Sequence, residues 1–166
     1  MGLVSAVFPD ELITGPPRMP PTDVAFDATL NLPGFTIART SGFNPVIYDL
    51  DCHQVPRCPH CGGCDLRKKD KVQRRVWHES AGLRRVLLRF AVCKFHCRAC
   101  GRYFRQRFEG ILPYQRSTEA LKRQVYRHHT EGISRRSLAR SSGRSDTTIA
   151  RYYDHMYDLV NRKLLT

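Results

Sequence analysis

Acidic residues are scarce in this chain: 15 Asp and Glu stand against 28 Lys and Arg in 166 residues, a formal net charge of +13. So basic a chain expects a polyanionic partner. Long apolar runs are missing as well. No stretch approaches the roughly 18 residues a membrane span needs, so no membrane partner is expected. The opening MGLVSAVFPDEL has no basic region, and its apolar run breaks at Pro9, which makes it a poor secretion signal. An even cysteine count is also lacking. Seven cysteines, at 52, 58, 61, 64, 93, 97 and 100, do not suit a closed disulfide framework. The setting expected is reducing and intracellular, where paired CxxC motifs read first as metal ligands.

The charge is unevenly placed. Residues 1–56 hold two basic and six acidic residues, a net of −4, and 57–166 carry a net of +17. Prolines 9, 16, 17, 20 and 21 mark 1–28 as an extended or disordered lead-in. Residues 35–38 and 46–51 are short β-type runs that can form a hairpin. Runs at 72–78 and 86–96 flank Gly82 and predict a second hairpin, with a further strand over 103–108. After Pro113 the pattern becomes helical. Ser117 or Thr118 can cap a first helix ending at Gly132, Ser134 a second ending at Gly143, and Ser145 a third. The fold class expected is α+β: a β-rich zinc-ribbon domain over 29–112, then a helix-turn-helix domain over 113–166.

Two segments, Cys58-Pro-His-Cys61-Gly62 and Cys97-Arg-Ala-Cys100-Gly101, repeat one device. Each CxxC offers two thiolates to a tetrahedral ion from a tight turn, and the glycine lets the backbone turn beneath the sulfurs, where a side chain would crowd them. Thirty-five residues separate the pairs, enough for the second hairpin, so Cys58, Cys61, Cys97 and Cys100 are the expected zinc ligands. Four thiolates leave no position for water, so the zinc is structural. Cys64 competes, because Cys61 and Cys64 also make a CxxC, but it has no counterpart after Cys100. Cys93 reads as a small core residue, Cys52 and His53 as weaker competitors. His60 and His96 read as solvent or phosphate contacts.

Around Gly143 the spacing fits a helix-turn-helix. Leu138 and Ala139 precede the glycine by five and four residues, and Ile149 and Tyr152 follow by six and nine. Ser142 and Arg144, beside the glycine, stand where apolar plugs are normal. The outward face then presents Ser145, Thr147, Thr148 and Arg151 to base edges and phosphates, with Arg135, Arg136 and Arg140 on the preceding helix. Lys122 and Arg123 are further candidates for phosphate contact.

In this order the parts resemble the N-terminal region of bacterial insertion-sequence transposases of the ISL-three group. The residues that match are Leu32 to Phe35, Val46 to Asp49, the CPHCG motif, the strand at 86–93, Cys97 to Gly101, Tyr103, Phe104 and the helical segment ending near Tyr153. They span about 29–160. The resemblance implies double-stranded DNA as partner, at the terminal inverted repeats of the element, and a DDE nuclease domain beginning where the chain stops at Thr166. It implies bacterial cytoplasm, on the nucleoid when bound. The chain is thus expected to recognise DNA without being an enzyme, as a truncated transposase or a regulator of transposition, pairing with itself or with a full-length transposase. Two alternatives differ in class: a subunit of a DDE enzyme whose catalytic part is on another chain, and an RNA-binding zinc ribbon. A-form RNA disfavours the last, because its deep groove is too narrow for a helix.

Overall fold

The computed structural model describes residues 30–164; the lead-in expected over 1–28 lies outside the described residues. Five strands form one mixed sheet and three helices follow, an α+β fold. The first hairpin joins β1 (Phe35–Ser41) to β2 (Val46–Cys52), and the second joins β3 (Leu66–Ala81) to β4 (Arg84–Cys97). The turn of the second hairpin falls at Gly82, whose φ of 62° suits glycine. Unlike the two separate hairpins the sequence suggests, the pair is merged: β2 lies parallel to the first half of β4, Val46 facing Val86. Arg89 donates to both carboxylate oxygens of Asp49, at 2.6 and 2.7 Å, and pins that register. Along the second half of β4, on the edge away from β3, runs β5 (Tyr103–Arg105). It is shorter than the strand expected over 103–108, since Phe108 leaves the ladder to bridge Ile111.

Strand β4 alternates strictly at first: Val86, Leu88, Phe90 and Val92 are buried, and the residues between them are half-buried. The buried set meets Leu30, Leu32, Phe35, Val76, Phe108 and Ile111 in the main core. Phe35, Phe90 and Phe108 close a triangle with ring centroids 5.1–5.3 Å apart. Each such side chain contributes roughly 1.5–3 kcal/mol by leaving water.

The helices are α1 (Glu119–Thr130), α2 (Arg135–Ser142) and α3 (Asp146–Leu164). Thr118 caps α1, its hydroxyl accepting from the Leu121 N–H, and Ser134 caps α2 in the same way through Ser137. Ser145 accepts from the Thr148 N–H at the start of α3. Leu121, Val125, Leu138, Ala139 and Ile149 form a second core, with Trp77 and Tyr152 packed against it.

Trp77 belongs to β3, so the helices rest on the sheet. Residues 116–118 extend this contact: Trp77 donates to the Arg116 carbonyl and accepts from the Thr118 N–H, both at 2.9 Å. Buried His78 completes it. Its Nε2 donates to the Leu30 carbonyl at 2.9 Å, and its Nδ1 lies 3.0 Å from the capping hydroxyl of Thr118. Burial depresses the His78 pKa, against a smaller opposing pull from Glu79, so the ring favours the neutral form. The rest of the outer edge of β3 carries Arg67, Lys68, Lys69 and Lys71, all exposed and interrupted only by Asp70, and this mainly positive charge discourages pairing with another strand.

Candidate metal centre and nucleic-acid interface

The two knuckles share one backbone pattern. The Gly62 N–H donates to the Cys58 carbonyl and the Gly101 N–H to the Cys97 carbonyl, each at 2.9 Å. Gly62 and Gly101 have φ of 71° and 69°. The expectation that a side chain there would crowd the sulfurs is corrected by the geometry. A Cβ at either glycine meets nothing within 4 Å, so the requirement is the left-handed backbone and not space. Crowding falls one residue later, at Gly63, where a Cβ would stand 3.3 Å from the Cys61 sulfur.

The hairpin brings the knuckles together. All four sulfurs of Cys58, Cys61, Cys97 and Cys100 lie within 4.8 Å of one another, with Cys58 to Cys100 at 3.6 Å and Cys61 to Cys97 at 3.5 Å. A tetrahedral zinc with bonds of about 2.3 Å sets its sulfurs roughly 3.8 Å apart, so the donor set and the spacing fit that ion. Burial raises the Cys58 thiol, yet N–H donors from His60 and Cys61 and the neighbouring thiols outweigh it and bring the pKa down to about 7. The four cysteines form a structural zinc site, every tetrahedral position being filled by sulfur.

The competing side chains lie elsewhere. Cys64 is exposed and outside the cluster. Cys52 packs against the main core. Cys93 is half-buried on β4 opposite Lys71, one register position off the core face, so it is not a core residue as expected. His60 accepts from Arg102 at 3.2 Å, and the His96 ring lies 4.6 Å from that of Tyr103.

Residues 54–100 match the zinc-finger of transposase IS204/IS1001/IS1096/IS1165. The matched transposase zinc-finger region takes in both knuckles, all of β3 and all of β4. No curated protein and no solved structure matches the chain.

Beyond this zinc finger, α2 and α3 meet at Gly143, which caps α2 with φ of 66°. A Cβ there would run into the Arg85 guanidinium, which reaches over from β4. The two residues that spoil the apolar frame both have local work. Ser142 donates back to the Leu138 carbonyl at 2.6 Å. Arg144 lays its guanidinium 4.3 Å from the centre of the Trp77 ring, a cation on an aromatic face in the position of the apolar plug. Its Nε and one amino nitrogen are buried without a hydrogen-bond partner among the described residues. The sequence marks Arg144 as out of place but does not show its partner, which is 67 positions away in the chain.

Arg135, Arg136 and Arg140 are exposed on α2, and Thr147 and Arg151 are exposed on the first turns of α3. Ser145 is exposed, but its hydroxyl lies 2.8 Å from that of Thr148, which is only half-exposed, so both are engaged in capping. Arg136, Arg140, Arg144 and Asp146 border a recess of about 410 Å3 at the α2–α3 corner. One expected phosphate contact is overturned. Lys122 is 3% exposed and pairs with Glu119 at 2.7 Å inside the fold, whereas Arg123 is exposed. The periodicity of α1 does not separate these neighbours; packing against α3 does, where His155 lies 3.1 Å from the same Glu119 that holds Lys122.

Proposed function

We propose that this chain recognises double-stranded DNA by sequence, at the terminal inverted repeats of a mobile element, through α2 and α3 acting as a helix-turn-helix. The observation that carries the reading is the transposase zinc-finger match over 54–100, followed after β5 by a three-helix unit with basic residues on its outer side. Arg151 and Thr147 read base edges from the N-terminal part of α3, and Ser145 and Thr148 hold the start of that helix. Arg135, Arg136 and Arg140 hold phosphates. The zinc ribbon over 29–112 and the helical unit over 113–166 act as two recognition domains braced by Trp77 and His78. The chain supplies recognition and no strand chemistry, as a truncated transposase or regulator of transposition, alone or beside a full-length transposase. Its place of work is the bacterial cytoplasm, on the nucleoid.

Selection from a random duplex pool tests the reading, followed by titrations on the selected and scrambled duplexes. Arg151→Ala is expected to cost about 1–3 kcal/mol on the selected duplex and to relax one base pair. A pool that converges on no sequence overturns the specific reading. An Arg151→Ala loss equal on both duplexes reduces that residue to a phosphate anchor. Strand cleavage by the purified chain with magnesium would overturn the recognition-only role.

A further inference from the structure

The face of the sheet that carries the main core does not end with the core. Toward the zinc knuckles the same face continues past buried Val92 to Val72, Lys94 and Tyr103, all exposed. Register places these residues together: Val72 faces Val92 across β3 and β4, and Lys94 faces Arg105 across β4 and β5. Pro113 and Tyr114 wall one side, Pro59 and His60 another, and the groove so formed has a volume of about 430 Å3. This volume is on the scale of a nucleotide-sized ligand and too small to enclose a duplex.

The lining is unusual in two respects. Arg74, Lys94, Arg105 and Arg107 border the groove and no carboxylate does. It also leaves aromatic rings open to water: Tyr103 is 56% exposed and Tyr114 is 88% exposed. The Tyr103 ring is held in place from within, with His96 at 4.6 Å and the Lys94 ammonium at 5.4 Å from its centre. Phosphates of a duplex would satisfy the cations but not the rings, because paired bases keep their flat faces in the stack. Cations along a groove with aromatic platforms between them are what an unpaired strand uses, phosphates on the charges and bases on the rings.

We propose that this groove on the zinc ribbon binds a single strand of DNA, stacking bases on Tyr103 and Tyr114 while Lys94, Arg105 and Arg107 hold its phosphates and Arg74, donating to the Leu112 and Gln115 carbonyls, fixes the Tyr114 wall. The proposal rests on the nucleic-acid reading of the chain but not on α3. It gives the chain two separate contacts, a duplex reader and a strand holder.

The test is fluorescence anisotropy of a labelled oligothymidylate of roughly 12 nucleotides, within the usual site size of such grooves, titrated with the zinc-loaded full chain. Tyr103→Ala is expected to weaken strand binding about tenfold, and Tyr103→Phe to restore it, because stacking needs the ring and not the hydroxyl. Tyr114→Asn is expected to weaken it similarly. Its ring packs on little, and asparagine accepts the φ of 62° found there, so this variant decides the matter should Tyr103→Ala lose zinc. Both variants should leave the selected-duplex affinity unchanged. Strand affinity unaffected by either change overturns the proposal, as does an equal loss on strand and duplex. Tighter binding of oligouridylate would overturn the assignment to DNA. Arg151→Ala probes the other contact, so failure of the duplex reading shows on duplex titrations and failure of the groove on strand titrations.

Discussion

Individual side chains settle which of several plausible ligands and titrating groups matter. Cys64 sits in a second CxxC, yet only Cys58, Cys61, Cys97 and Cys100 converge. One zinc per chain is therefore expected by elemental analysis, lost on Cys58→Ser and kept on Cys64→Ser; the reverse pattern would refute the ligand set. Chelation should melt the ribbon, since zinc binding in such units is folding free energy. His78 carries a second consequence. Its folded pKa lies below the ordinary value of about 6.5, because burial disfavours the charged ring. Below that value the unfolded chain takes up a proton that the folded chain resists, so stability falls as pH drops from about 7 toward 5.5. His78→Gln removes the titration. The gap in Tm between the parent and this variant should narrow over that range, and a constant gap would show that His78 does not titrate on unfolding.

At the scale of elements, α2 and α3 depend on the left-handed residue between them. Gly143→Ala places a Cβ in a backbone conformation costing about 1–2 kcal/mol and displaces Arg85 as well. Denaturant unfolding of the zinc-loaded protein should show a loss of at least that size, and Gly143→Asn a smaller one. An unchanged midpoint would mean that the turn relaxes freely. Helix caps at Thr118 and Ser134 and the hairpin turn at Gly82 were all legible in the sequence, because capping and turn chemistry act over three or four residues. The parallel pairing of β2 with β4 was not legible. It joins segments about 40 residues apart and leaves no local signature beyond two apolar runs. The exit of Phe108 from the expected strand has the same origin: the aromatic triangle with Phe35 and Phe90 competes with the ladder and prevails.

Across the whole molecule, the net charge of +17 over 57–166 means that any duplex should attract the chain, through the release of counterions from the phosphates. Affinity for a scrambled duplex should fall about a thousandfold between 50 and 200 mM salt if roughly six phosphates are contacted. Arg123→Ala should lower the salt slope by about one, whereas Lys122→Ala should leave the slope unchanged and lower stability, because Lys122 is buried against Glu119. Equal slopes for the parent and Arg123→Ala would remove Arg123 from the contact.

The knuckles, the caps, the frame of α2 and α3, and the sign of the charge were all readable from residue order, because each depends on residue types at short spacing. Which face the charges of the described residues occupy came from tertiary packing. It turned Lys122 inward and set Arg144 against Trp77. It also carried the core face of the sheet past its apolar cover to leave Tyr103 open, with exposed Tyr114 bordering the same groove. The reason is physical: burial belongs to the packing of segments distant in the chain, and no local pattern states which distant segment will arrive.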